Sequence, residues 1–249
     1  MVLDYFRGKV GLEIAGPSGV FRVGGGLPIY EVAACIDDFS YPRPVEWRGR
    51  VLIPGKTFQY NPEKPPGLQF IGDAVDLSKI SSGTYHFVIA SHVLEHIANP
   101  LKAISEWLRV LKRGGVLLLI VPHRDGTFDR KRPLTTLDHL IGDFKNNMGE
   151  NDQTHIQEVK ELMDKKVKQV WLDSCYAHRG LHHHVFDTKL IVEIFDYFNI
   201  EILSAAPVRP HSIIILGRKL ARKQKANNQS FLSKRAKYKR TSPFATDRA

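Results

Sequence analysis

Two apolar runs stand out because neither alternates with polar residues. They are Phe87-Val88-Ile89-Ala90 and Val116 to Val121. Strands apolar on both faces are covered on both faces, as in a parallel sheet under helices. Between the runs, Asn99 and Pro100 open a helix, Asn as its cap and Pro in the first turn, where a missing N–H is no loss. Leu101, Ile104, Leu108 and Leu111 recur at spacings of three and four and predict one apolar stripe. Lys112 and Arg113 fall in the expected last turn, and Gly114-Gly115 ends it. Tyr85–His123 is therefore a predicted βαβ unit with a right-handed crossover. Ligands of such sheets sit beyond the carboxyl ends of the strands, here Ser91-His92 and Pro122-His123.

The same reading extends outward. Val10 to Ala15 predicts a first strand running into the turn Gly16-Pro17-Ser18-Gly19. A short helix fits near Ile29–Val32, and Ala33 to Ile36 predicts a second strand ended by Asp37-Asp38. Residues 39–67 hold six of the fourteen prolines, with Trp47 and Tyr60 among them, and predict an insertion of loops or a short hairpin. Leu68 to Ile71 is a third strand, followed by Gly72-Asp73-Ala74. Residues 134–144 and the polar stretch 151–168 predict two helices of a lid spanning 123–186. Asp187 caps a helix with Leu190, Ile194 and Phe198 on one face. Glu201–Ala205 and Ser212–Leu216 close the fold as an antiparallel pair.

Charge changes this picture at one end only. The chain of 249 residues carries a formal net charge of +10, yet residues 217–249 hold 11 Lys and Arg against one acidic residue. The remainder has 25 of each sign and is neutral. A folded domain at 1–217 is therefore followed by a basic tail, 218–249, of a composition expected to be disordered. Nucleic-acid grooves carry their charge within the fold, so nucleic acid is not the expected partner. No apolar run approaches the ~20 residues of a membrane span, and the amino terminus lacks the apolar centre of a signal peptide. Cys35 and Cys175 form no CxxC motif, which makes a reducing cytoplasm the expected compartment.

VLEHIANPLKAISEWLRVLKRGG resembles the signature of class I S-adenosylmethionine-dependent methyltransferases of the type 11 branch: a Leu-Glu-His turn, a helix, then Arg-Val-Leu-Lys-Pro-Gly-Gly, with Arg113 in place of the proline. The resemblance implies an α/β, Rossmann-like, seven-stranded, mostly parallel sheet with helices on both faces and the last strand antiparallel. It also implies S-adenosylmethionine as cofactor. Glu13 fits the family's acidic position. Its following glycine positions read Ala15, Pro17 and Gly19, with Gly16 displaced. By the same resemblance, Asp37 or Asp38 would hold the ribose, and Asp73 with Ala74 the adenine, Asp76 being the alternative. Ser91 and His92, with His96, would wall the cofactor. No GxGxxG fingerprint is present, against a nicotinamide or flavin enzyme.

Methyl transfer to a hydroxyl is aided by a general base, and histidine titrates in the right range. Among eleven histidines, His123 is the first choice because it ends a core strand, with His155 and the run His182 to His184, centred on His183, next. Adjacent histidines alternate faces in extended chain. The run could form a metal site only with His178 or Asp187, and no metal is expected. The wider pattern VPHRDGTFDRKRP…HHHVFD resembles a bacterial subgroup associated with glycan biosynthesis. Arg124, Arg130 and Arg132 would suit an acidic acceptor. The expected function is methyl transfer to a small-molecule or glycan hydroxyl. The alternatives are a non-catalytic binding protein of the same fold and an RNA methyltransferase using the basic tail. The oligomeric state stays open.

Overall fold

The computed structural model describes residues 2–42, 52–162 and 180–248. Trp47, Cys175, His178 and residues 163–168 of the expected polar helix lie outside them. Eight strands form one mixed sheet: β1 Val10–Ile14, β2 Cys35–Ser40, β3 Gly55–Phe58, β4 Gly67–Ile71, β5 Tyr85–Ser91, β6 Leu111–Pro122, β7 Ile200–Val208 and β8 Ser212–Lys219. Their order is β3-β4-β2-β1-β5-β6-β8-β7. The strands β4, β2, β1, β5 and β6 are parallel, while β8 pairs antiparallel with both β6 and β7. The seven expected strands become eight because the proline-rich insertion supplies β3, which pairs antiparallel with β4 at the sheet edge.

The non-alternating runs behave as their composition requires. In β5, Val88 and Ala90 enter one apolar cluster, with Trp107, Ile104, Ile191 and Phe195. Phe87 and Ile89 enter the opposite one, with Phe6, Phe21, Ile29 and Tyr30. The first cluster is roofed by α2 (Pro100–Val110) and a later helix, Thr188–Tyr197. The second lies under the short helix α1, Ile29–Val32, and the amino-terminal 3-10 turn Val2–Tyr5.

Helix α2 starts as predicted, the Asn99 side chain accepting from the Lys102 N–H at 3.1 Å. It stops earlier than its glycines suggested. Leu111 is extended and pairs with Tyr85, so Lys112 to Gly115 belong to the lead-in of β6. The buried stripe runs through Trp107 rather than Leu108, and the Trp107 indole donates to the Ala74 carbonyl at 3.0 Å. Arg109 donates to the carbonyls of Leu77 and Ile80. The helix thereby fixes the loop that carries Asp73.

The second strand also differs. It continues through Asp37 and Asp38 to Ser40, because the flanking carboxylates find partners inside the protein. After β6 come 3-10 turns at Arg124–Gly126 and Phe128–Lys131, then helices α3 (Leu137–Lys145) and α4 (Ile156–Leu162). The helix Thr188–Tyr197, here α5, is capped by the Asp187 carboxylate on the Leu190 N–H at 2.7 Å.

In place of the expected disordered tail, the last residues dock against the fold in three short helices, Gln229–Leu232, Lys237–Thr241 and Ala245–Arg248. Asn228 bonds Ile200 and Ile202 of β7. Tyr238 and Phe244 are buried. The Asp247 carboxylate accepts from the Thr188 hydroxyl and the Ser242 hydroxyl, both at 2.7 Å. Burial alone would raise Asp247, but bonds from His123, Ser242 and Thr188 outweigh it and hold its carboxyl below the usual value. Its stabilising contribution is present above the unfolded carboxylate's titration near 3.8 and is lost as pH falls through the lower folded value. Asp247→Ala is expected to lower stability at neutral pH by roughly 3 kcal/mol, since it strands three buried donors. Urea denaturation checks this, and a truly disordered tail would leave the midpoint unmoved.

Candidate functional site

The strand order reverses direction between β1 and β5, and ligands of open α/β sheets bind at such a switch point, outside the carboxyl ends of the strands. Two residues there adopt the left-handed region without being glycine: Ala15 after β1, with φ 60°, and His92 after β5, with φ 53°. Each such residue costs of order 1–3 kcal/mol and persists where its surroundings hold it. The Ala15 N–H is held by the Phe39 carbonyl and the His92 N–H by the Ile120 carbonyl.

Around this point the expected cofactor residues separate into two groups. Gly16 donates to the Asp38 carboxylate at 2.7 Å, and Asp38 is bonded further by Ser40 and Gln69. Glu13 is fully buried and accepts from the Tyr30 hydroxyl at 2.6 Å and the Ser18 N–H at 3.0 Å. Burial, with the charge of Asp38, pushes its pKa up to about 8. A Cβ on Gly16 would stand 2.5 Å from the Glu13 carboxylate and 2.9 Å from Phe58, so glycine is required there by the protein's own packing. Asp37 faces the other side of the sheet, where its carboxylate accepts from the Tyr85 hydroxyl at 2.7 Å and the Leu68 N–H at 2.8 Å. That placement corrects the expectation that Asp37 ends the strand toward a ribose; only Asp38 lies on the Gly16 side. Asp73, Ala74, Ser91 and His92 are all half-buried at strand ends, as a ligand contact requires. Asp73 caps its own turn through the Val75 N–H, and Asp76 is exposed on the next turn, bonded to Ser78.

Next to His92 opens a cleft of about 680 Å³ at the carboxyl ends of β5 and β6. His92, Glu95, His96, Phe128, Arg130 and His182 are among its walls. Glu95 is buried, with His92 Nδ1 at 3.5 Å and His96 Nε2 at 3.8 Å. Burial would raise it, but the His92 hydrogen bond and the nearby His96 and His182 hold its carboxyl below the usual range. Its Oε2 is buried with no hydrogen-bond partner among the described residues, an acceptor that a ligand's donor would satisfy. Asp73, Ala74, Ser91 and His92 reach this edge, whereas Asp38 is fully buried and its carboxylate is taken by Gly16, Ser40 and Gln69. Glu13 and Gly16 act one layer behind, by shaping the loop.

The three expected bases end in different places. His123 is fully buried, stacked on Phe244 with centroids 4.0 Å apart and with Nε2 3.2 Å from Asp247. It is sealed from any acceptor by the docked carboxyl-terminal segment, a correction that no local pattern signalled. His155 packs against His139 and His184. His183 turns toward Asp152 and Glu150, and burial pushes its pKa down to about 4. His182 is the member of the run that faces the cleft, its Nδ1 2.6 Å from Asp129 Oδ2. Asp129 was missed because it lies 53 residues away in sequence. Arg132 is buried, donating to Asp129, Glu158 and the carbonyls of His182 and His183. Arg124 bonds Thr246 in the docked segment. Of the three arginines proposed for an acidic acceptor, Arg130 alone lines the cleft, joined by Lys131.

Residues 56–119 match a family profile described as "Methyltransferase domain". No curated protein matches the chain in sequence. Similar solved structures include a SAM-dependent methyltransferase from Aquifex aeolicus, at 11% identity and TM-score 0.47, covering 88% of this chain and 86% of that one. A SAM-dependent methyltransferase from Methanosarcina mazei aligns at 15% identity and TM-score 0.45, over 88% and 96% of the two chains. An arsenic(III) S-adenosylmethionine methyltransferase from Chlamydomonas reinhardtii aligns at 12% identity and TM-score 0.47, over 89% and 66%. Among the described residues no helix is long and apolar enough to cross a membrane.

The buried Glu13 gives a pH test of the switch-point loop. Its folded pKa is raised from 4.5 to about 8, so its contribution to stability is full below the unfolded value and declines as pH rises toward 8. Glu13→Gln, which mimics the protonated acid, is expected to flatten the urea midpoint between these values and to exceed the wild type above pH 8. Parallel pH profiles for the two proteins would contradict the assignment.

Proposed function

We propose that the protein is an S-adenosylmethionine-dependent methyltransferase acting on a hydroxyl of an anionic small molecule or glycan held in the cleft beside His92. The observation that carries this reading is the His182–Asp129 pair, with Nδ1 2.6 Å from Oδ2, opening on a cleft next to the β1/β5 switch point. With Nδ1 committed to Asp129, the ring accepts a proton at Nε2, and the carboxylate stabilises the imidazolium that forms. S-adenosylmethionine, when bound, supplies a methyl group already activated on a sulfonium. The protein's work is then alignment, exclusion of water and removal of the acceptor's proton.

The acceptor's chemistry is read from the wall. Arg130 and Lys131 suit a phosphate or carboxylate. Phe128, 39% exposed, offers a flat apolar face to a sugar or other ring. These features support an acidic glycan or nucleotide-sugar over an apolar acceptor. The segment 126–131, together with His182, forms one side of the cleft and is the proposed substrate-facing wall.

Two measurements test the reading. Calorimetry with S-adenosylmethionine is expected to show binding, and Asp73→Ala to weaken it by about 1–3 kcal/mol; absence of binding at millimolar cofactor would remove the enzyme reading. His182→Ala and Asp129→Asn are expected to leave cofactor affinity unchanged and to lower kcat about 10²–10⁴-fold on a competent acceptor. Full activity in both variants would take the base role from His182.

A further inference from the structure

Behind the cleft wall lies a second cluster that methyl transfer does not use. His139 and Asp143 project from one turn of α3, His155 stands just before α4, and His184 follows the cleft-facing His182 by two residues. The ligand atoms of His139, His155 and His184 all lie within 4.8 Å of one another. His139 Nε2 is 3.2 Å from His155 Nε2 and 3.3 Å from Asp143 Oδ2. His184 Nε2 is 3.8 Å from the same carboxylate oxygen.

These separations are close to the edge of a tetrahedron. Bonds of ~2.0 Å to a tetrahedral ion place neighbouring ligand atoms about 3.3 Å apart. The widest pair closes by at most about 1.5 Å, and His139, whose side chain is 41% exposed, has the freedom to move. A metal-free account exists for two contacts: a single N–H···N bond joins His139 to His155, and the His184 Nε2–H donates to the Ala98 carbonyl at 3.2 Å, which makes Nδ1 the atom His184 can offer a metal. It leaves Asp143 Oδ2 and His184 Nδ1 buried without a hydrogen-bond partner among the described residues. The Asp143 side chain is only 8% exposed, and an orphaned carboxylate oxygen at that depth calls for a cation.

We propose that His139, His155 and His184, with Asp143 as fourth ligand, form a binding site for a divalent transition-metal ion of zinc's ligand preference, joining α3, the start of α4 and the His182-bearing segment. Three imidazoles and one carboxylate are a donor set that zinc accepts in tetrahedral geometry. The site is structural in this account: it sets the backbone that presents His182, and it stands whether or not the cleft transfers methyl groups.

The test uses the full chain without a polyhistidine tag, stripped with chelator and titrated with Zn²⁺ and then Co²⁺. The expected result is one equivalent bound, a Co²⁺ visible spectrum of tetrahedral type, and a melting temperature raised by Zn²⁺. His139→Ala, at an exposed position that circular dichroism can show to be folded, is expected to weaken binding by more than about 10-fold. Asp143→Asn is expected to do the same, and His182→Ala to leave it intact. A second possible cluster, Glu95, His96 and His182, lies in the cleft. Loss of binding in His182→Ala but not in His139→Ala would move the metal there and overturn the proposal. So would no stoichiometric Zn²⁺ on the wild type, or an unchanged affinity in His139→Ala.

Discussion

A guanidinium buried to 2% exposure has to satisfy its donors within the protein, and the way Arg132 does so organises the functional half of the molecule. Its bonds reach Asp129 in its own turn, Glu158 on α4, and the carbonyls of His182 and His183. Those carbonyls fix the path of the 181–184 segment. The His183 N–H is held as well by the Glu95 carbonyl at 2.8 Å, and the His96 ring by the Leu181 carbonyl at 3.1 Å. Along this segment each ring meets different neighbours: His182 the cleft and Asp129, His183 Asp152, His184 Ala98 and α3.

The sheet supplies the other half. Helix α2 covers one face of β5 and β6 and, through Trp107 and Arg109, grips the loop after β4. The strand ends of β1, β2, β4 and β5 are thereby brought to one edge. The turn after β5 leads directly into the cleft, because His92 and Glu95 belong to both. The switch-point edge and the His182 cleft are adjacent for a topological reason: β6 is the next strand, and its end carries the wall that Arg132 stabilises.

Much of this frame was legible in the sequence. The Tyr85–His123 unit could be read because its strands are apolar on both faces and its helix carries a cap, a proline and a stripe. The antiparallel closing pair and the Asp187 cap were equally local signals. The eighth strand was hidden by prolines, and the extension of β2 by two acidic residues whose partners, Gly16 and Tyr85, are distant. The carboxyl-terminal segment was misread for a similar reason. Its basic composition is that of a solvated tail, but a few spaced residues, Asn228, Tyr238, Phe244 and Asp247, anchor it across β7, α5 and His123. The burial of His123 depends on that docking, and the Asp129–His182 pairing on the Arg132 network, neither of which leaves a spacing in the chain.

The central claim is that the β1/β5 switch point and the His182 cleft are the two halves of one active site. A crystal structure with S-adenosylhomocysteine tests it most directly. The account predicts the ligand along the strand ends, with adenosine toward Asp73 and its sulfur opening past His92 toward His182. A ligand bound elsewhere, or a sulfur facing away from the cleft, would contradict it.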